Sequence, residues 1–380
     1  NGIFAAKSAE IMSYIHELPQ WPHFTWDAAG LSLLLADVRC RQGRLLGRMD
    51  GLGFQLRNEA CLATLTSDVL KSSAIEGEFL DPEQVRSSIA RKLGLNVAGL
   101  KPSSRDVDGI VEMMLDATQH FSRALTAERL CGWHAALFPT GRSGMVRITV
   151  GRWRTADAGP MRVVSGAIGR ERIHFEAPSA ERLSPEMEAF LTWVERADAL
   201  DPVLKAGIAH FWFVTIHPFE DGNGRIGRAV ADLLLARTDS MPERFYSMSA
   251  QIEAERKDYY QTLEACQRGT LDITLWLRWF LSCLGRAIDG AESTLGNTLR
   301  KARVWDRIKE EPVNTRQKEV INRLLDGFEG KLTSSKYAKL TKCSADTALR
   351  DIRQLVERGI FVQTEAGGRS TNYVLNEKHR

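Results

Sequence analysis

Several features that would mark a membrane, secreted or nucleic-acid-binding protein are missing from this sequence of 380 residues. It contains no run of about 18 apolar residues, so no membrane span is predicted. Its first residues lack a basic stretch followed by an apolar one, so we expect no signal peptide. The formal net charge of +3 is too small to indicate nucleic-acid binding by itself. These absences favour a cytoplasmic protein without a membrane partner.

Paired cysteines are also missing. The six cysteines are scattered along the chain, which fits reduced thiols better than a disulfide framework or a zinc site. The hydrophobic fraction of 43% and the charged fraction of 26% are ordinary for a globular protein. The length suggests two or three domains.

One stretch, from His217 to Arg228 (His-Pro-Phe-Glu-Asp-Gly-Asn-Gly-Arg-Ile-Gly-Arg), combines the groups that a triphosphate site needs. Apolar residues at helical spacing lie on both sides of it, so it is predicted to be the loop of a helix-loop-helix. Gly222 and Gly224 leave the backbone free to turn its N–H groups toward an anion, and the next helix adds its positive dipole end. We therefore expect phosphate to bind at this loop.

Side chains in the same stretch predict the remaining chemistry. Arg225 and Arg228 are three residues apart on the second helix, so both can hold further phosphate oxygens. Asp221 is a hard oxygen ligand suited to a magnesium ion that also contacts phosphate. His217 titrates near neutral pH and can take a proton from a hydroxyl group.

This run resembles the Fic family signature, His-x-Phe-x-Asp/Glu-Gly-Asn-Gly-Arg-x-x-Arg, at every fixed position. The alternative is a helix pair with a glycine-rich turn and a surface histidine. The resemblance implies a mainly α-helical fold with a small β-hairpin flap, and transfer of AMP from ATP, with Mg²⁺, to a Ser, Thr or Tyr hydroxyl of another protein. His217 would be the general base and Asp221 the metal ligand. The residues expected around ATP in this run are His217, Gly222, Asn223, Gly224, Arg225, Ile226, Gly227 and Arg228.

A second motif lies far upstream, in Ser72-Ser73-Ala74-Ile75-Glu76-Gly77. It resembles the Fic inhibitory motif, Ser/Thr-x-x-x-Glu-Gly/Asn, so Ser72, Glu76 and Gly77 are the predicted inhibitory residues. Glu76 would pair with Arg228 and remove this arginine from the γ-phosphate, which would spoil the orientation of ATP. The alternative is a surface helix end with a solvated glutamate.

Two further regions are assigned through the same resemblance. β-Branched, glycine-rich pieces precede the signature helices, and we expect Val163 to Gly169 to be the flap along which a protein substrate binds by strand addition. A tyrosine past the signature lines the adenine pocket in family members. Tyr259 is the predicted residue, with Tyr260 and Gln267 as neighbours.

The chain is predicted to contain an N-terminal helical region over 1–100 with the inhibitory helix, a catalytic domain over 101–311 and a third domain over 312–380. Glu310-Glu311-Pro312 breaks the helical pattern and sets the last boundary. Three helical patterns and a hairpin with a turn at Gly367-Gly368 follow, and this order resembles a winged helix. DNA contact and protein docking both stay open for this domain; the basic and polar residues considered for DNA are Lys342, Thr347, Arg350, Arg353 and Arg369.

The sequence thus predicts a protein adenylyltransferase that Glu76 autoinhibits. Two alternatives stay open: a DNA-binding regulator that only senses a nucleotide, and a Fic enzyme that uses another nucleotide or removes AMP. An intact His217 argues against pure sensing, which would need no base. The oligomeric state is open, with a homodimer among the alternatives.

Overall fold

The structure is a computed structural model that describes residues 14–95, 100–166, 170, 172–197, 199–308, 311–325, 328, 330–364 and 371–376. These residues form fourteen α-helices, three short 3₁₀ turns and six strands of at most five residues each. The prediction of a mainly α fold is therefore confirmed. No described helix is long and apolar enough to cross a membrane.

The chain divides into two compact units, residues 1–291 and 292–380. The predicted division into three domains, with boundaries after residues 100 and 311, stays a prediction.

Helices supply nearly all of the regular structure. They are α1 (Ala28–Asp50), α2 (Phe54–Ile75), α3 (Pro82–Lys92), α4 (Arg105–Gln119), α5 (Ala127–Leu137), α6 (Leu183–Glu195), α7 (Pro202–Ile216), α8 (Asn223–Asp239), α9 (Met248–Ala254), α10 (Arg256–Gln267), α11 (Thr274–Arg307), α12 (Thr315–Leu325), α13 (Ser334–Thr341) and α14 (Ala345–Glu357). Most begin at a side-chain cap. Asp201 caps α7 by accepting the Val203 N–H at 2.8 Å, and Pro202 occupies the first turn, where a missing N–H costs nothing.

Helices α7 and α8 form the centre of the first unit. Almost every residue of α7 is buried, which is expected for a helix that is apolar on all sides. The paired helix α8 is buried along most of its length. The loop of residues 217–222 joins these two rigid helices, so its geometry is held from both ends.

A buried polar network fixes α2 near α8 and α9. Arg244, 1% exposed, donates to Asp232 Oδ1 on α8 at 3.0 Å and to Asp239 Oδ2 at 3.2 Å. Asp68 on α2 accepts the Ser249 N–H of α9 at 3.2 Å. Because buried charges are tolerated only when they are paired and hydrogen-bonded, these contacts hold Arg244 against α8 and the part of α2 around Asp68 against α9.

Two small hairpins lie between α5 and α6. The first pairs β1 (Arg142–Ser143) with β2 (Val146–Arg147), and the second pairs β3 (Arg162–Ser165) with β4 (Arg172–Glu176). In the second hairpin Val163 faces Phe175 but Val164 faces Ile173, which leaves His174 as the extra residue of a β-bulge. This hairpin is the predicted flap; of the predicted range 163–169, residues 167–169 lie outside the described residues.

The second unit has its own core of buried side chains, which are Val304, Ile308, Val320, Ile321, Leu325, Leu332, Tyr337, Ala348, Ile352, Leu355, Ile360 and Phe361. Helices α12 to α14 precede an antiparallel pair, β5 (Phe361–Gln363) and β6 (Tyr373–Leu375). Arg350 and Arg353 are exposed on α14. Assignment as a winged helix stays a prediction, and Gly367, Gly368 and Arg369 lie outside the described residues.

Candidate active site

The loop before α8 is closed by Asn223. The Oδ1 atom of Asn223 accepts the Phe219 N–H at 2.9 Å, and its Nδ2 donates to the Phe219 carbonyl at 2.8 Å. Gly222 caps the helix with a φ of 79°, a conformation that glycine adopts without strain. The first backbone bond of the helix runs from Ile226 N–H to Gly222 O at 2.9 Å. The N–H groups of residues 223–225 therefore precede the helical ladder and form the anion-binding end of α8.

Asn223 was predicted to contact ATP, but its side-chain amide is used to shape the loop. Its predicted role at a phosphate stays a prediction and would depend on its backbone N–H. Ile226 and Gly227, also predicted around ATP, contribute through packing: Ile226 is fully buried, and a Cβ on Gly227 would lie 2.7 Å from Val214 on α7.

His217 ends α7 in the left-handed conformation, with a φ of 54°. A residue with a side chain rarely adopts this conformation, and such outliers cluster at functional sites. His217 Nδ1 lies 3.1 Å from the Val214 carbonyl, and because a carbonyl only accepts, Nδ1 carries the proton and Nε2 is left as the acceptor. Burial lowers the pKa of His217 to about 4. The imidazole is therefore neutral near pH 7, as a general base must be.

Asp221 lies in the same loop as His217 and borders the same cavity. One carboxylate oxygen accepts the Gly222 N–H at 2.5 Å, and the other accepts the Ser143 hydroxyl. Within the described parts of the chain, no group of three or more His, Cys, Asp or Glu side chains could hold a metal ion by itself. Protein sites for Mg²⁺ often use one or two carboxylates together with substrate phosphates. The donor set therefore fits an ion shared with a triphosphate.

Arg228 is 2% exposed and its guanidinium is held by the end of α2. Its Nε donates to Ser72 Oγ at 2.9 Å, and its Nη2 donates to the Ser72 carbonyl at 2.9 Å and to Glu76 Oε1 at 2.7 Å. Glu76 is the C-cap of α2, and Gly77 follows with a φ of 84°. All three predicted inhibitory residues thus lie at the turn that faces Arg228.

Glu76 also approaches the anion-binding end of α8. A Cβ atom on Gly224 would lie 2.1 Å from Glu76 Oε1, so only glycine allows the carboxylate this close to the helix N-terminus. A negative group is favourable at that position for the same reason that a phosphate is. The carboxylate and a bound phosphate would therefore compete for one place.

Arg225 makes a contact that the sequence motifs did not predict. It is 2% exposed, and its Nη1 pairs with Glu78 Oε2 at 2.5 Å. The ring of Phe138 lies under the guanidinium, 5.1 Å from it. Burial raises the pKa of Glu78, an effect that the charge of Arg225 partly offsets. Both arginines of the signature are thus paired with carboxylates from the segment that ends α2.

His217, Asp221, Gly222 and Glu76 border a cavity of about 880 Å³. Its walls come from the loop before α8, from the β3–β4 hairpin, from Glu76 and from α10. The hairpin is tied to α10, since His174 Nδ1 lies 2.7 Å from Glu264 Oε2, and Arg268 donates to the carbonyls of Ile173 and His174 at 2.8 and 2.9 Å. The cavity therefore has room for a nucleotide between the phosphate loop and α10.

Tyr259 and Tyr260 both line this cavity but differ in exposure. Tyr259, the predicted adenine residue, is 2% exposed, and its hydroxyl lies 2.9 Å from His210 Nε2. Tyr260 is 36% exposed, and its hydroxyl lies 3.4 Å from Glu76 Oε2. Gln267 donates to Thr215 Oγ1 at 3.2 Å at the same end of the cavity. Tyr260 therefore offers the more accessible ring.

Trp153 and Arg154 hold the loop from outside, and the sequence analysis missed both. The Trp153 ring packs on Phe219 with centroids 5.0 Å apart. Arg154, 4% exposed, donates through Nε to the His217 carbonyl at 2.8 Å and through its backbone N–H to the Pro218 carbonyl at 2.9 Å. A Gly-x-Trp-Arg sequence in an irregular segment carried no recognisable signal.

Comparison with protein families identifies two segments of the chain. Residues 124–235 match the family described as Fic/DOC family, and residues 14–95 match a family described as "Domain of unknown function (DUF4172)". The first match includes the loop and most of α8. This chain therefore contains a Fic domain.

Two curated proteins named as protein adenylyltransferases are similar to part of this chain. The chain is 26% identical over 258 residues to "Protein adenylyltransferase fic-1" of Caenorhabditis briggsae, a match that covers 64% of this chain and 47% of the relative. It is 35% identical over 116 residues to "Protein adenylyltransferase Fic" of Nematostella vectensis, covering 30% of this chain and 25% of the relative. The chain thus spans less than half the length of these two relatives.

Solved structures support the fold. A Fic family protein from Desulfovibrio desulfuricans matches with a TM-score of 0.50 and 22% identity, covering 91% of this chain and 97% of the other. A Fic-domain-containing signalling protein from Bacteroides thetaiotaomicron matches with a TM-score of 0.51 and 20% identity, covering 69% and 97%. At these identities the likeness supports the helical fold alone.

Proposed function

We propose that this chain is a protein adenylyltransferase that transfers AMP from ATP to a hydroxyl side chain of a protein and that Glu76 restrains it. One observation carries the proposal: a neutral histidine and the N-terminus of a buried helix border one cavity of nucleotide size, together with Glu76, the carboxylate that pairs with the buried Arg228. This is the set of groups that hydroxyl-to-phosphorus transfer requires.

His217 acts on the acceptor. Its Nε2 takes the proton of the hydroxyl as the oxygen attacks the α-phosphorus, and pyrophosphate leaves. The backbone N–H groups at the start of α8 stabilise the negative charge that develops on the α-phosphate, because they are fixed before the reaction begins. Asp221 would hold the magnesium ion, which supplies positive charge to the phosphates when it is bound.

The base of the nucleotide is assigned to the end of the cavity formed by α10. Tyr260 presents the more accessible aromatic ring there, and the buried Tyr259 packs against it, with the two ring centroids 5.1 Å apart. The β3–β4 hairpin covers the same end and offers its strand edge to an extended acceptor segment.

Autoinhibition follows from the competition at α8. Glu76 forms an ion pair with Arg228 and lies at the N-terminus of α8, and Glu78 forms an ion pair with Arg225. ATP must displace both carboxylates before the two arginines can hold the outer phosphates. We propose that Glu78 is thus a second restraint that acts on Arg225.

Intact-mass analysis of the Glu76→Gly protein, incubated with ATP and Mg²⁺, tests the function. We expect AMP adducts on the chain itself or on an added acceptor protein, and none in a Glu76→Gly, His217→Ala control. Parallel incubations with GTP, CTP and UTP identify the donor. If ATP binds by calorimetry and no nucleotide yields an adduct, the transferase proposal fails; loss of AMP from a modified protein would favour the reverse reaction.

A further inference from the structure

Arg154 is a buried cation whose hydrogen bonds go to backbone carbonyls. Its Nε binds the His217 carbonyl at 2.8 Å, and its Nη2 binds the Pro178 carbonyl at 2.5 Å. Within the described residues, no carboxylate lies within ion-pair distance of it. Burial lowers the pKa of its guanidinium, and Glu181 acts weakly in the opposite direction. An arginine is not deprotonated in proteins even when it is buried, so Arg154 carries a positive charge that is stabilised by the carbonyls it binds.

The bonds of Arg154 converge on the residue that must hold an unusual backbone conformation. His217 has a φ of 54°, and such a conformation persists only where its surroundings over-determine it. Arg154 binds the carbonyls of the two consecutive peptide groups that follow, that of His217 through its side chain and that of Pro218 through its backbone N–H. Trp153 packs on the next residue, Phe219.

We propose that Arg154 is a positioning residue that fixes the left-handed turn at His217 and holds a positive charge near its imidazole. This inference rests on the proposed function, because it assigns a partner to the proposed base. The first role needs the fork of the guanidinium, and the second needs only its positive charge.

The electrostatic role has a definite sign. A nearby positive charge disfavours imidazolium, so Arg154 lowers the pKa of His217, alongside the larger effect of burial. The charged groups that act in the other direction are Glu76, at the end of α2, and Asp221, in the loop. The Val214 carbonyl, on α7, also favours the charged form. Removal of Arg154 should therefore raise the pKa of His217.

The test uses the full chain in the Glu76→Gly background, with Arg154→Met, Arg154→Lys and the exposed neighbour Arg152→Met as a matched control. The pKa of His217 is measured by NMR titration of its imidazole, assigned against the His217→Ala protein, so this readout needs no activity. We expect Arg154→Met to raise this pKa, Arg154→Lys to leave it near the parent value and Arg152→Met to leave it unchanged.

Rates of AMP incorporation from about pH 3 to pH 9, a range that includes the acid limb, test the positional role. A misplaced reactive group costs on the order of a hundredfold, so we expect Arg154→Met to lose about that much while ATP affinity by calorimetry stays within about threefold. Arg154→Lys should keep the position of the acid limb but lose part of the rate, because it lacks the fork.

An unchanged pKa of His217 in Arg154→Met would overturn the electrostatic role, and parental rates in both variants would overturn the positional one. Parallel losses of ATP binding, cooperative melting and activity would identify a purely structural residue and also overturn the proposal. If Arg154→Met does not fold, Arg154→Lys still decides, because a titration shifted from the parent contradicts the proposal. A parent protein without any AMP transfer would instead refute the proposed function.

Discussion

The contact between Glu76 and Arg228 predicts the largest gain of activity in this protein. Replacing Glu76 by Gly removes a charged hydrogen bond of 2.7 Å between a fully buried guanidinium and a carboxylate that is 29% exposed. Hydrogen bonds to charged groups contribute about 1.5–3 kcal/mol, and 1.4 kcal/mol is a factor of ten. We therefore expect kcat/KM for AMP incorporation to rise by about ten- to a hundredfold.

Matched variants separate charge from shape. Glu76→Gln keeps the length of the side chain and can still accept one hydrogen bond, but neutral bonds are roughly half as strong. Its gain should therefore lie between that of wild type and that of Glu76→Gly. In Glu76→Gly with Arg228→Ala the gain should vanish, because the freed arginine is absent.

Thermal melting gives a second readout of the same contact. Glu76→Gly leaves the buried charge of Arg228 without its carboxylate, so the free protein should melt at a lower temperature than wild type. ATP with Mg²⁺ should raise the melting temperature of the variant more than that of wild type, since a phosphate then takes the vacated place. A Glu76→Gly protein that binds ATP normally and transfers AMP no faster than wild type would refute the inhibitory role.

The other expectations concern single side chains of the same site. His217→Ala should abolish AMP transfer but keep the ATP affinity measured by calorimetry, and unchanged transfer would remove His217 as the base. In the parent protein the rate should fall on the acid side near pH 4, the pKa of the buried His217, instead of near the ordinary histidine value of 6.5. Asp221→Asn should lose the Mg²⁺-dependent part of ATP affinity and leave metal-free binding unchanged, and an equal Mg²⁺ effect in both proteins would contradict the metal role. Glu78→Gln in the Glu76→Gly background should add at most about fivefold to the rate, because Glu78 is half-exposed and exposed ion pairs contribute about 0.2–1 kcal/mol. A gain larger than that of Glu76→Gly itself would reverse the order of the two restraints.

The sequence was informative where the chemistry is local. The stretch from His217 to Arg228 contains the predicted base, both glycines and both arginines in one short segment, the loop and the first turns of α8, so their spacing is enough to predict their roles. Asp201 and Pro202 likewise predict the start of α7, and the structure begins this helix at Pro202. The contact between Glu76 and Arg228 joins residues that are 152 positions apart, and only the resemblance to a known motif suggested it.

Sequence patterns do not show where side chains recognise the backbone. The role of Asn223 at a phosphate stays a prediction, but nothing in the sequence indicated that its amide is held by the N–H and carbonyl of Phe219, two groups that every non-proline residue has. Arg154 binds the carbonyls of His217 and Pro178 in the same way, so no complementary residue type exists to reveal the pair. A charged residue in an irregular segment is usually exposed, whereas Arg154 is buried and binds the carbonyl of His217, the proposed base. Residues of this kind are recognised only when the structure shows which carbonyls a buried cation must satisfy.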